Sequence, residues 1–313
     1  MQPDKTPDHG GGVDAAAAHW GGDRARWIDL STGINPQPYP VGDIPARAWC
    51  ALPDTAAQQA LVAAARRFWR VPDGAAILAA PGCSALIAQI PFLRPAGRVR
   101  IPRPTYNEHA RSFLRAGWET CEGEAQAAVI VHPNNPDGRL FPAPDAPLAV
   151  IDESFCDVTP EQSLIAVADR PGTLVLKGFG KFWGLAGLRL GFAIGDPDLI
   201  GRLAEMLGPW PVSGPALDIG VRALGDDAWA IATRQRLAKD AARLDQMMQR
   251  AGAALVGGTT LFRLYDTDSA KMWQDRLARC QIWTRVFPYS DRWIRLGLPG
   301  KPEDWARLES ALT

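Results

Sequence analysis

A lysine amine delivered into a loop of glycines is the first group in this chain with chemistry to offer. The run Leu174-Val175-Leu176-Lys177-Gly178-Phe179-Gly180-Lys181 reads as a buried strand that empties into a segment too small to pack a side chain over Lys181. Arg189 follows eight residues later, with Gly187 and Gly191 two positions away on either side. Such an amine can condense with an aldehyde to a Schiff base, and a guanidinium can fork onto a phosphate. The pair therefore asks for a ligand that carries both groups. A lone lysine after a strand is usually only solvated, so the assignment needs support from the rest of the chain.

Four further segments supply it. Ile151-Asp152-Glu153-Ser154-Phe155 follows the apolar Leu148-Ala149-Val150, which puts Asp152 at the C-terminal end of a buried strand, where open α/β sheets bind ligands. A carboxylate there would keep a pyridine nitrogen protonated, and a protonated ring is the electron sink of pyridoxal chemistry. As plain structure it would be a helix N-cap. Val129-Ile130-Val131 runs into His132-Pro133-Asn134-Asn135-Pro136-Asp137-Gly138, ordinary turn chemistry that also brings the Asn135 amide within reach of a ring oxygen. Ala80-Pro81-Gly82-Cys83-Ser84 turns through glycine into an apolar helix start, whose N–H groups and hydroxyl make an anion site. Pro102-Arg103-Pro104-Thr105-Tyr106 offers an aromatic ring to a planar ligand. Each feature has a bland explanation when taken alone. In one order, from Gly82 to Gly191, they are the parts of a site for pyridoxal 5'-phosphate.

That ordered set resembles the fold-type I pyridoxal-phosphate enzymes of the class I/II aminotransferase superfamily. The likeness is most specific at Asn134 to Gly138, at Asp152-Glu153 and from Lys181 to Gly191. It implies that Lys181 forms the Schiff base, that Asp152 pairs with the pyridine nitrogen, that Asn135 bonds the ring oxygen and that Tyr106 stacks on the ring. It further implies that Gly82, Cys83, Ser84 and Arg189 hold the phosphate. At the N-terminus, His9-Gly10-Gly11 and Asp29-Leu30-Ser31-Thr32-Gly33-Ile34-Asn35-Pro36 are similar to the opening of the threonine-phosphate decarboxylases of cobalamin biosynthesis. Those enzymes also end in a motif like Ile294-Arg295-Leu296-Gly297-Leu298-Pro299. By that resemblance His9 reaches the substrate's phosphate, Asn35 lies near its carboxylate, and Arg285 and Arg295 bind carboxylate or phosphate. A doubly anionic substrate needs several fixed cations, which agrees with the residue types. The implied assembly is a homodimer.

The chain also departs from the superfamily pattern. Hydroxyl residues usual before the lysine are replaced by Gly178 and Gly180, a tyrosine usual after the strand-end aspartate by Phe155, and another usual tyrosine by the Leu52-Pro53-Asp54 segment. Each loss removes a hydrogen bond worth about 0.5–1.5 kcal/mol, so weaker cofactor retention is expected. Three functions follow. The first is decarboxylation of O-phospho-L-threonine to (R)-1-aminopropan-2-yl phosphate, the second an aminotransferase of the histidinol-phosphate type, and the third a non-catalytic protein on a decayed enzyme fold. The intact Lys181 opposes the last.

Composition bounds the rest. Lys plus Arg and Asp plus Glu are 34 each, so neither nucleic acid nor a membrane surface is indicated as partner. No apolar run is long enough to span a bilayer, and the polar opening from Met1 to Asp8 lacks a signal-peptide core. Five scattered cysteines without a CxxC motif suggest reduced thiols and a cytoplasmic setting, and the four histidines have no metal-ligand spacing.

Strands are expected at 75–78, 98–101, 129–132, 149–152, 174–177 and 190–193, with helices between them, a pattern that makes a mainly parallel sheet. A long helix from Asp227 to Ala251 then leads to strands at 261–265, 283–287 and 293–298 and helices at 269–279 and 303–312. The expected architecture is α/β, and by resemblance the pyridoxal-phosphate-dependent transferase (aspartate aminotransferase-like) fold. It has a large domain over 46–210, a smaller α+β domain over 211–313 and an N-terminal arm over 1–45 that joins the small domain.

Overall fold

The computed structural model describes residues 9–313. They form two compact units. The larger is Gln37–Arg236; the smaller runs up to Pro36 and resumes from Leu237 to Thr313.

The larger unit is built on a seven-stranded sheet. Its order is Ala76–Ala80, Gly191–Gly195, Thr173–Gly178, Leu148–Asp152, Ala127–Val131, Arg98–Arg100 and Glu119–Cys121. Every pairing from Thr173–Gly178 outward to Glu119–Cys121 is parallel, whereas Gly191–Gly195 is antiparallel to both its neighbours. The central strands are buried along their whole length, as strands covered on both faces must be. Val129, Val150, Leu174 and Leu176 join Leu86, Ile90, Phe113, Trp118 and Leu203 in one core beneath the helices.

This topology gathers the motifs. Gly82, Tyr106, Asn135 and Lys181 all follow strands that run the same way, and Asp152 ends one. Because Gly191–Gly195 runs in reverse, Arg189 enters the sheet at the same edge, with Gly191 opposite both Gly178 and Ala80.

The boundary between the units lies earlier at the first break and later at the second than the sequence suggested, 36/37 and 236/237 against 45/46 and 210/211. Local contacts explain the shift. The Tyr39 N–H donates to the Trp183 carbonyl at 2.9 Å, which ties residues after Pro36 to the lysine loop. The helix Gly214–Leu224, hidden in sequence by its Gly-Pro start, packs on Thr55–Trp69. Trp229, on the first turn of Asp227–Arg250, stacks on Trp183 at 5.2 Å.

The smaller unit has a four-stranded antiparallel sheet in the order Arg285–Phe287, Ser290–Gly297, Phe262–Asp266 and Ala254–Thr259. The single strand expected at 283–287 is divided. Ile282–Trp283 pairs in parallel with Ile28–Asp29, while Arg285–Phe287 pairs with Ser290–Gly297. Ala15 to Ala18 lie in the helix Val13–Trp20, whose Val13 and Ala16 pack with Trp27 and Ala278. No helix among the described residues is long and apolar enough to cross a membrane.

Candidate active site

A cavity of about 180 Å³ opens at the sheet edge just described. Its lining includes Gly82, Cys83, Ser84, Tyr106, Asn135, Asp152, Lys181 and Arg189, every residue of the larger unit that the sequence singled out. The anion-binding end is shaped by close backbone approach. Gly82, with φ +85°, begins the helix Cys83–Gln89, and a Cβ there would lie 2.4 Å from Nη2 of Arg189. A Cβ on Gly191 would lie 2.6 Å from the Cys83 amide nitrogen. At Gly191 the clash is with backbone, so only hydrogen fits; at Gly82 the left-handed φ is what favours glycine. Arg189 itself is left-handed at φ +53°, an uncommon conformation for arginine, and its Nη1 donates to the Ala186 carbonyl at 3.0 Å.

Asp152 is the fixed negative charge of the cavity. It is buried, and burial alone would raise its pKa. The bond to His109 Nε2 at 2.8 Å, with those from the Ser154 amide at 3.0 Å and hydroxyl at 2.5 Å, outweighs that and holds the carboxyl below its usual range. Burial and the Asp152 charge push both the Cys83 thiol and the Tyr106 phenol up to about 12, so both stay protonated near neutrality. His109 and Ser154 escaped the sequence reading. A single histidine near the start of the helix Asn107–Arg115 carries no signal of its own, although its position three residues after Tyr106 puts both on one helix face.

The neighbouring asparagines divide their roles. Asn134 is fully buried and builds the turn, donating to Pro104 O at 3.0 Å and Asp137 Oδ1 at 2.7 Å and accepting from Thr105 Oγ1 at 2.6 Å. Asn135 lines the cavity.

Two lysines, four residues apart, are equally distinct. Lys177 is buried within its strand, with Nζ 2.6 Å from Glu153 Oε2 and 3.4 Å from Asp157 Oδ1. Burial alone would lower its pKa; the two carboxylates more than reverse that and hold the ammonium charged well above the ordinary lysine range. Lys181 lies past the strand end, its Nζ 5.3 Å from the centre of the Phe155 ring, at the cavity wall. The substituted positions have physical partners too: a Cβ on Gly178 would come 2.9 Å from Cys83 Sγ, so that thiol occupies the space of a longer side chain. His132, Glu153 and Cys156 lie close enough to suggest a metal site. However, Phe141 N–H donates to His132 Nδ1, Nε2 faces the Gln162 carbonyl, and Glu153 accepts from Leu164, Ser163 and Lys177, so hydrogen bonds occupy that group.

The other four candidates belong to the smaller unit. Asn35 and Arg295 are buried, Arg285 is half-buried and His9 exposed. Arg285 and Arg295 sit directly opposite each other on adjacent antiparallel strands. Arg295 Nη2 donates to Ser31 O at 2.6 Å and its guanidinium lies 5.0 Å from the Phe262 ring centre, while Arg285 Nη1 donates to His9 O at 2.8 Å. Burial first, and then the charge of Arg285, lowers the Arg295 pKa to about 10. Like charges placed face to face destabilise a ladder unless an anion joins them.

A family model for aminotransferase class I and II matches residues 46–312. The chain belongs to that family. It is 40% identical to a threonine-phosphate decarboxylase of Pseudomonas aeruginosa over 328 residues and 39% identical to one of a Sinorhizobium species over 326, each alignment covering 97% of both proteins. Among solved structures, the histidinol-phosphate aminotransferase from Sinorhizobium meliloti, in complex with pyridoxal-5'-phosphate, matches with a TM-score of 0.83. That match covers 100% of this chain and 96% of the other at 18% identity, so it speaks to the fold. The family's cofactor fits the donors found here, which share one lining: an anion cradle that a Cβ would close, a buried ionised carboxylate, and a lysine at the wall.

Proposed function

We propose that this chain decarboxylates O-phospho-L-threonine to (R)-1-aminopropan-2-yl phosphate with pyridoxal 5'-phosphate, as a homodimer and as a step in cobalamin biosynthesis. The observation that carries the reading is near-full-length identity of about 40% to two threonine-phosphate decarboxylases. The cavity is consistent with it.

Arg189, Ser84 and the amides at the start of Cys83–Gln89 would hold the cofactor phosphate, and Tyr106 would cover the ring. The Asn135 amide would donate to the ring oxygen. When bound, the cofactor supplies a protonated pyridine that takes up the electron pair left as the Cα–carboxylate bond breaks. Asp152, ionised by its bonds from His109 and Ser154, holds the proton at the ring nitrogen. The Lys181 amine would hold the cofactor at its aldehyde carbon and, once the substrate amine has displaced it, would carry a proton to Cα. Carbon dioxide leaves and a proton takes its place, so the product amine keeps its charge. Which Cα bond breaks depends on how the substrate's carboxylate and phosphate are held, the role proposed for His9, Asn35, Arg285 and Arg295. The charge of Lys177 and its two carboxylate partners support Lys181 over Lys177 as the reacting amine.

The test is purified protein with pyridoxal phosphate and phosphothreonine. Stoichiometric carbon dioxide release without an added keto acid supports decarboxylation. Turnover that requires a keto acid would make it an aminotransferase, and absence of any visible cofactor band would point to a non-catalytic protein.

A further inference from the structure

Behind the lysine loop, away from the cavity, lies a buried charge that the proposed chemistry does not use. Asp157 is almost fully buried, and both carboxylate oxygens and its carbonyl are hydrogen-bonded. Oδ1 accepts from Trp69 Nε1 at 2.9 Å and faces Lys177 Nζ at 3.4 Å; Oδ2 accepts from Trp183 Nε1 at 3.2 Å; its carbonyl accepts from Arg234 Nε at 2.7 Å. Of these partners, Trp183 is the one in the loop that carries Lys181, two residues further on.

Trp183 is the anchor of that loop. Its ring is stacked between Phe179 at 5.1 Å and Trp229 at 5.2 Å, with Phe182 edge-on at 5.1 Å. Gly184 N–H closes a turn onto the Lys181 carbonyl at 3.1 Å, and Leu185 N–H returns to Phe179 O at 3.0 Å. Phe179, Phe182 and Trp183 are all fully buried, so Gly180 and Lys181 are the part of the loop left to face the cavity. Stacking alone lets an indole slide in its plane. A hydrogen bond from its one N–H to a fixed carboxylate stops the slide, and with it the backbone position of Lys181.

We infer that Asp157 is a positioning residue for the Lys181 amine, acting through the Trp183 indole N–H. The inference rests on Lys181 being the residue that the cofactor captures. Geometry at a reacting amine is sensitive to displacements well under the size of a side chain. The loop is therefore pinned from behind by an ion pair network that never meets substrate.

The experiment uses the full chain and pyridoxal phosphate alone, with borohydride to fix the adduct and peptide mass to locate it. Trp183→Phe keeps an aromatic ring in the stack and removes the N–H together with the rest of the five-membered ring, the same truncation that Trp69→Phe makes at a second buried tryptophan. It should slow labelling of Lys181 by about tenfold, the loss of one hydrogen bond to a charged group, with a melting temperature lowered about as much as by Trp69→Phe. Trp69→Phe removes a bond to the same carboxylate from outside the loop and should leave the labelling rate unchanged. Asp157→Asn should match Trp183→Phe in labelling, with a lower melting temperature. Equal slowing in Trp183→Phe and Trp69→Phe, or unchanged labelling in Trp183→Phe, would overturn the proposal. No labelling of Lys181 in the unaltered chain would overturn the assignment of Lys181 itself, and the positioning role with it.

Discussion

At the scale of single residues, charge placement decides what this site can do. Asp152 sits where burial disfavours its ionised form, yet three hydrogen bonds from His109 and Ser154 keep it ionised. Asp152→Asn preserves shape and removes that charge. Turnover should fall about 10²–10⁴-fold, the usual weight of one well-placed proton, while borohydride still fixes the cofactor on Lys181. Near-normal turnover would reduce Asp152 to a structural hydrogen-bond acceptor. The residues in the cavity were legible because each stands in a short motif with its own turn or strand end. His109 and Asp157 were not, since each acts on a residue far away in sequence. His109 lies 43 positions from Asp152, and Asp157 lies 26 from Trp183.

At the scale of elements, the cradle depends on how closely three strands approach. Gly178 and Cys83 contest one volume, because a Cβ on the glycine would lie 2.9 Å from the sulfur. Gly178→Ser alone should weaken cofactor binding, because the new side chain meets the thiol. Adding Cys83→Ala makes room and returns a hydroxyl to the cradle. The pair should then bind pyridoxal phosphate up to about tenfold more tightly than the unaltered chain, in line with one recovered hydrogen bond. Equilibrium dialysis would read both changes, and a double variant no tighter than the single one would break the argument. In the smaller unit, Arg295→Lys tests the facing arginines. An ammonium cannot reproduce the planar fork, so KM for phosphothreonine should rise at least about tenfold with the cofactor spectrum unchanged. An unchanged KM would leave Arg295 a structural partner of Ser31.

The central strands were readable from sequence as short apolar runs, and each lies within a few residues of its expected place, Leu148–Asp152 against 149–152 for example. Less readable was Gly214–Leu224. Its glycine and proline look like punctuation, but proline is tolerated in a first turn, and Ser213 caps it by accepting from the Ala216 amide at 3.4 Å. Ala254–Thr259 was hidden for another reason: two glycines and exposed positions erase the alternation that marks a strand.

At the scale of the whole molecule, the proposed homodimer has a surface to account for. Trp49 and Leu52 are exposed at 68% and 69%, on a helix end and the turn that follows it. Leu52 lines a groove in the larger unit with the apolar Ala48, Ala51, Leu217 and Val221 and the charged Arg47, Asp54, Asp218 and Arg222, an apolar patch bordered by charge of the kind that marks interaction sites. Tryptophan is enriched at the centres of protein interfaces, which makes exposed Trp49 a candidate contact. Replacing both with charge, Trp49→Asp with Leu52→Asp, should leave the buried core of the unit untouched and so leave its fold intact. Sedimentation of the unaltered chain should show a dimer, and the double variant should shift toward monomer with reduced turnover. A chain that is strictly monomeric and fully active would exclude the dimer. A double variant that stays dimeric would move the interface elsewhere, because two buried carboxylates facing a second copy would cost far more than a close-packed contact could offset.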